Sequence, residues 1–82
     1  MTRQEAINCI EKEELSGYNF FENRYHKENE LVIREDEGLW YVYATDERAS
    51  KVTGSEKRFE SEVEALENLI KRLRADKVLR NL

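Results

Sequence analysis

Leu31-Val32-Ile33-Arg34-Glu35-Asp36-Glu37-Gly38-Leu39-Trp40-Tyr41-Val42-Tyr43-Ala44-Thr45 is the stretch on which the fold turns. β-Branched and aromatic residues crowd both halves, and an acidic turn ending in Gly38 separates them. The pattern predicts two strands, Leu31–Glu35 and Leu39–Thr45. Loop parity decides which side chains share a face, because a one-residue slip turns every side chain over. An even loop (Glu37-Gly38, or Glu35 to Gly38) sets Leu31 and Ile33 beside Trp40, Val42 and Ala44. Val32 and Arg34 then share the opposite face with Tyr41, Tyr43 and Thr45. A three-residue loop with Gly38 as a bulge would invert this pairing. The even loop is preferred, since it collects the larger aliphatic set and the only Trp on one side for burial.

Further elements flank the hairpin. Thr2 and Glu5 have capping-box spacing, and Ala6, Ile7, Ile10 and Leu15 make an apolar stripe with Cys9 at its margin. A helix is therefore expected over Thr2–Leu15, with Gly17 as its stop. Tyr18–Tyr25, with Phe20 and Phe21, reads as the first strand, followed by a polar His26–Glu30 loop. Asp46-Glu47-Arg48 reads as a turn, Ala49–Thr53 as a weak fourth strand, and Lys57–Glu60 as a short extended piece delivering Phe59 to the core. Ser61 and Glu64 form a second capping box. Val63, Leu66, Leu69, Ile70 and Leu73 then recur at helical spacing. Acids crowd the start of this helix and bases its end, which complements the helix dipole, and Glu67 to Lys71 is a favourable i,i+4 pair. The fold class expected is α+β, in the order α-β-β-β-(β)-α. The sheet is read as an antiparallel meander with both terminal helices on one face, and the other face meets solvent unless a partner covers it.

At 82 residues the chain makes one domain spanning 1–82, in which about 60–65% of the unfolded surface is buried. Charged and hydrophobic residues each contribute 39%, enough for a modest core under a very polar surface. The net charge of −4 argues against a nucleic-acid partner, which ordinarily meets a basic excess. One cysteine excludes an internal disulfide, and one cysteine with one histidine does not make an ordinary zinc site. No signal-like apolar stretch and no membrane-spanning run occurs, so a cytoplasmic location is expected. The charge is unevenly spread. Residues 1–47 carry five basic and twelve acidic groups, a balance of −7, while residues 48–82 carry nine basic and six acidic, a balance of +3.

Catalytic chemistry finds little support in these residues. His26 is the one side chain that titrates near neutrality unaided, but its loop offers no nucleophile beside it. Cys9, at the edge of an apolar stripe, reads as a small hydrophobe. The carboxylates Glu35, Asp36, Glu37, Asp46 and Glu47 lack the spacing and central glycine of a calcium loop, and read as turns. No phosphate-binding glycine loop or nucleophile elbow occurs. The expectation is a protein that is not an enzyme, with no cofactor and no metal. The aromatic residues beside the acids are more telling. Arg34, Tyr41 and Tyr43, with Tyr25 nearby, are of the types enriched at interface hot spots. A rim of Glu35, Asp36, Glu37, Asp46 and Glu47 would steer a basic partner toward them.

Glu14-Leu15-Ser16-Gly17-Tyr18-Asn19-Phe20-Phe21, Leu31-Val32-Ile33, Trp40-Tyr41-Val42-Tyr43-Ala44-Thr45-Asp46-Glu47-Arg48, Phe59 and Glu64-Ala65-Leu66 together resemble the immunity protein 59 family. The resemblance covers nearly the whole chain, and its most specific piece is the strand ending in Asp46-Glu47-Arg48. It implies a small cytoplasmic antidote, encoded beside a bacterial polymorphic or contact-dependent toxin. Such an antidote binds the cognate toxin domain, in many cases a nuclease with a basic cleft, and touches neither nucleic acid nor membrane itself. A homodimer, or a small regulatory domain that pairs with its own kind, is the alternative reading.

Overall fold

The computed structural model describes residues 1–82 and has the order α1 (Arg3–Lys12), β1 (Tyr18–Phe20), β2 (Leu31–Asp36), β3 (Leu39–Ala44), β4 (Lys57–Phe59) and α2 (Glu62–Arg80). The strands form one sheet in the order β1-β2-β3-β4. The even loop is the one adopted. Asp36 pairs with Leu39 across a two-residue turn, in which Glu37 and Gly38 have φ of 51° and 78°. Two consecutive left-handed residues are what a type I′ hairpin turn needs, and its twist matches that of the strands. Ile33 therefore stands opposite Val42, and Leu31 opposite Ala44, on the face that both helices cover.

The core lies between that face and the helices. Ile33, Val42, Leu66 and Leu69 are fully buried, and Trp40 and Phe59 pack at the margin as a cross-strand pair. Phe59 is delivered by β4, as its sequence context suggests. Val63, expected on the buried stripe of α2, is half exposed, and Ala65, not expected there, is buried instead.

Both helix starts are capped as their sequences predict, one of them in part. Thr2 and Glu5 exchange both bonds of a capping box, whereas Ser61 accepts from the Glu64 N–H without a reciprocal bond. Helix α1 ends earlier than Leu15. Glu14, at φ 54°, takes the left-handed position, and the Leu15 N–H bonds to the Ile10 carbonyl in the manner of a Schellman motif.

The sheet is mixed, which corrects the expected antiparallel meander. Strand β1 pairs parallel to β2, with Tyr18 opposite Leu31 and Phe20 opposite Ile33. The first strand also stops at Phe20, well short of Tyr25. Phe21 at φ 58° breaks the alternation, and so both Phe20 and Phe21 pack against the core. The ten residues from Phe21 to Glu30 then carry the chain back to the starting end of β1, so that β2 sets out in the same direction. Ala49–Thr53 forms no strand. Ala49 is left-handed, and only the bridge from Thr45 to Lys51 remains. The strand edge it was expected to fill is taken by β4.

The bases of α2 serve more than the helix dipole. The Arg3–Glu62 and Arg74–Glu13 pairs, at 2.7 and 2.6 Å, show that α1 and α2 lie side by side and run the same way. Parallel helices set like dipole ends together. The Lys77 ammonium, which donates to the Glu13 carbonyl, and Arg80, which donates to Ser16 Oγ at 2.8 Å, put positive charge at the C-terminal end of α1. Glu67 lies 3.9 Å from the N-terminal ammonium, and the i,i+4 pair observed in α2 is Asp76–Arg80. Arg72 reaches across to the carbonyls of Val42 and Ser55.

The turn makes a direct stability test. Glu37→Asn supplies a residue that tolerates positive φ and is expected to stabilise the fold by about 0.5–1 kcal/mol, while Gly38→Ala costs about 1 kcal/mol or more. Urea unfolding of both variants measures this.

Candidate functional site

The second face of the sheet is where the expected site residues were placed, and the structure divides it in two. At the base of the hairpin, Asn19, Val32 and Tyr43 form one cross-strand row and are all buried, although no helix covers them. The connection from β1 to β2 and the loop after β3 supply the cover. The His26 ring stands edge-on to the Tyr43 ring, with Nε2 2.7 Å from the phenol oxygen, and the Lys51 ammonium lies 5.0 Å from the ring centre. Tyr43 is 4% exposed, so it supports this surface from beneath. His26 is likewise engaged by a phenol.

Arg24 and Glu30 hold the covering connection. Glu30 is only 3% exposed, and its carboxylate accepts two bonds from Arg24, at 2.9 and 3.1 Å, and one from the Lys27 N–H at 2.8 Å. The same guanidinium donates to the carbonyls of Tyr18 and Tyr25, tying the connection to β1. Burial alone pushes the Glu30 carboxyl up. The Arg24 bonds, the Lys27 N–H and the nearby positive charge outweigh burial and hold it below its ordinary value. Thr45 completes the network: its hydroxyl donates to the Lys27 carbonyl at 2.7 Å and accepts from the Glu30 N–H at 2.9 Å.

The expected site residues do not gather in one place. Six strand residues at about 3.3 Å each separate the Glu35-Asp36-Glu37 tip from the Asp46-Glu47 end by roughly 20 Å. At the tip, Arg34, Asp36 and Glu37 are exposed, Tyr41 is half-buried, and Glu35 accepts from the Gly38 N–H at 3.3 Å. At the base, Asp46 is a loop builder. Its carboxylate accepts from the N–H groups of Arg48 and Ser50, and its carbonyl from that of Asn29, which joins this corner to the covering connection. Glu47 is exposed beside it, and Tyr25 is 97% exposed.

The residues that sequence reasoning missed are Arg24, Glu30 and Arg58. An acid followed at once by the apolar run Leu31-Val32-Ile33 was a usable signal for Glu30. Arg58 follows from alternation once Lys57–Phe59 is paired with β3. Surface depressions on the molecule are shallow, about 250–380 Å³; three are mixed in charge, and the fourth sets Glu11 and Glu22 beside Ile7, Ile10, Tyr18 and Phe20. No helix is long and apolar enough to cross a membrane. No family model, curated protein or solved structure matches the chain.

Glu30 makes the stability of the molecule pH-dependent with a defined sign. A carboxyl held below its ordinary value of 4.5 stabilises the fold above that pH. The contribution fades as pH falls through the lowered folded-state value. Glu30→Gln is expected to cost about 2–3 kcal/mol at pH 7, because it takes from Arg24 its buried counter-charge and leaves only the more exposed Glu22 at 3.4 Å, and to flatten the acid limb of the stability curve. Chemical denaturation between about pH 3 and pH 7 reads both effects.

Proposed function

We propose that this chain is a non-catalytic binding protein of the immunity kind. On this reading it neutralises a bacterial toxin domain in the cytoplasm by docking an acidic, tyrosine-bearing surface onto it. The observation that carries the reading is Tyr25, which is 97% exposed on a loop whose backbone is held by the bond from Arg24 to the Tyr25 carbonyl at 3.0 Å. A large side chain on a fixed backbone loses little conformational freedom on binding, which suits an interface anchor. Glu28 and Glu47, exposed and outside any ion pair, on the same connection and on the corner bonded to it, supply negative charge on that side of the molecule. A basic cleft, such as a nuclease toxin presents to its substrate, is the complementary surface, and opposite charge accelerates encounter. The resemblance to the immunity protein 59 family supports the same class. The alternative, a small interaction domain without a toxin partner, rests on the uncovered Arg34–Tyr41–Arg58 row.

Co-expression with the toxin domain encoded beside this gene is expected to protect the host, and the purified pair to form a 1:1 complex. Tyr25→Ala is expected to weaken that complex about 10–100-fold without lowering thermal stability. Glu28→Lys with Glu47→Lys is expected to slow association, most visibly at low salt. Absence of protection by the wild-type chain would remove the toxin reading. A wild-type complex indifferent to both sets of variants would move the contact elsewhere on the molecule.

A further inference from the structure

At the hairpin tip the second face of the sheet is open, bordered by the Lys51–Glu56 ion pair, and its unpaired charges fall into two opposed rows. Arg34, Tyr41 and Arg58 are cross-strand neighbours on β2, β3 and β4. Asp36 and Leu39 pair in the next row outward, about 6.8 Å away. The β3–β4 register carried one step further sets Glu60 beside Leu39. One row thus reads base-aromatic-base, and its neighbour acid-aliphatic-acid. Arg34, Asp36, Arg58 and Glu60 are exposed, and none belongs to an ion pair within the chain.

We infer that this face binds a second copy of the chain about a two-fold axis. The axis lies in the plane of contact, parallel to the rows and midway between them. Such an operation lays each row over the other row of the partner while keeping every strand over its own counterpart. Arg34 then meets the partner's Asp36, Tyr41 the partner's Leu39, and Arg58 the partner's Glu60. Each contact occurs twice, as an isologous interface requires. The apolar pair sits at the centre and the charges form its rim, the ordinary anatomy of a protein interface. Only the tip halves overlap, so the connection that covers Tyr43 in each copy lies beyond the hairpin tip of the other. Three strands by two rows is a small patch, less than the ~800 Å² per partner of a standard interface. The dimer is accordingly weak, with a dissociation constant in the range of about 10–100 μM, and weaker still at high salt.

Sedimentation equilibrium of the full chain from about 10 μM to about 1 mM, at low and high salt, reads the association directly. The wild type is expected to dimerise across that range, and Arg34→Glu or Arg58→Glu to shift the midpoint at least 10-fold. The decisive variant exchanges the two charges, Arg34→Asp with Asp36→Arg. Because the axis pairs these positions with each other, the exchange preserves complementarity and is expected to restore the dimer that Arg34→Glu loses. A wild type that stays monomeric at about 1 mM overturns the inference. So does a dimer unaffected by the single substitutions, or a charge exchange that fails to restore association in a variant whose circular dichroism shows it folded. The toxin reading stands or falls separately, since it is tested at the opposite end of the sheet.

Discussion

Two left-handed residues at the tip of one hairpin govern the rest of the molecule. With Glu37 and Gly38 both at positive φ, Asp36 must face Leu39, and every residue of β2 and β3 is then assigned to one face. Leu31, Ile33 and Val42 fall on the side that α1 and α2 can cover, while Val32, Arg34, Tyr41 and Tyr43 fall on the other. A turn longer by one residue would turn one strand over relative to the other, so the helices would meet either tyrosines beside Ile33 or Arg34 beside Val42. Packing of both helices depends on that parity. Glu62, at the first turn of α2, shows how closely they are tied: its carboxylate accepts from Arg3 of α1 and from Trp40 of β3.

The parallel β1–β2 pairing has a different cause and a different consequence. The connection from Phe21 to Glu30 has no regular structure to stabilise it, so its backbone groups need other partners. Arg24 and Glu30 supply them from one buried pair, and Thr45 and Asp46 add bonds from the far side. That connection covers the lower half of the second face, which removes Tyr43 from the surface and leaves Tyr25 fully outside. The open half at the tip remains as a separate surface with charges of both signs. The second face of this small sheet is thus divided into a covered half and an open one.

Charge in this chain acts at more than one level. The basic C-terminal half suits the dipole of α2, but the same side chains cross to α1 and to β3, where Arg74 meets Glu13 and Arg72 meets backbone carbonyls. Among the acids of the first half, Glu13, Glu22 and Glu30 are committed to internal pairs, and Glu5 to a helix cap. The acids of residues 1–47 outside ion pairs and that cap are Glu11, Glu14 and Glu28, the tip residues Glu35, Asp36 and Glu37, and the corner residues Asp46 and Glu47.

Local chemistry was sufficient for the α+β class, the helix starts, the hairpin, its parity and the delivery of Phe59. Each of these follows from residues within a few positions of one another: a capping pair, a turn dipeptide, an alternating run. The direction of β1, the role of Glu30 and the division of the site residues between two ends depended on tertiary structure. A parallel and an antiparallel neighbour impose the same alternation on a three-residue strand, so Tyr18-Asn19-Phe20 carries no mark of its direction. Arg24 and Glu30 find each other only because the chain doubles back, and no periodicity announces a contact within an irregular loop. Sequence by itself determined which side of each strand is apolar, because that is a property of alternation. Only the folded chain decided which polar residues stay at the surface, because that depends on what the intervening loop happens to cover.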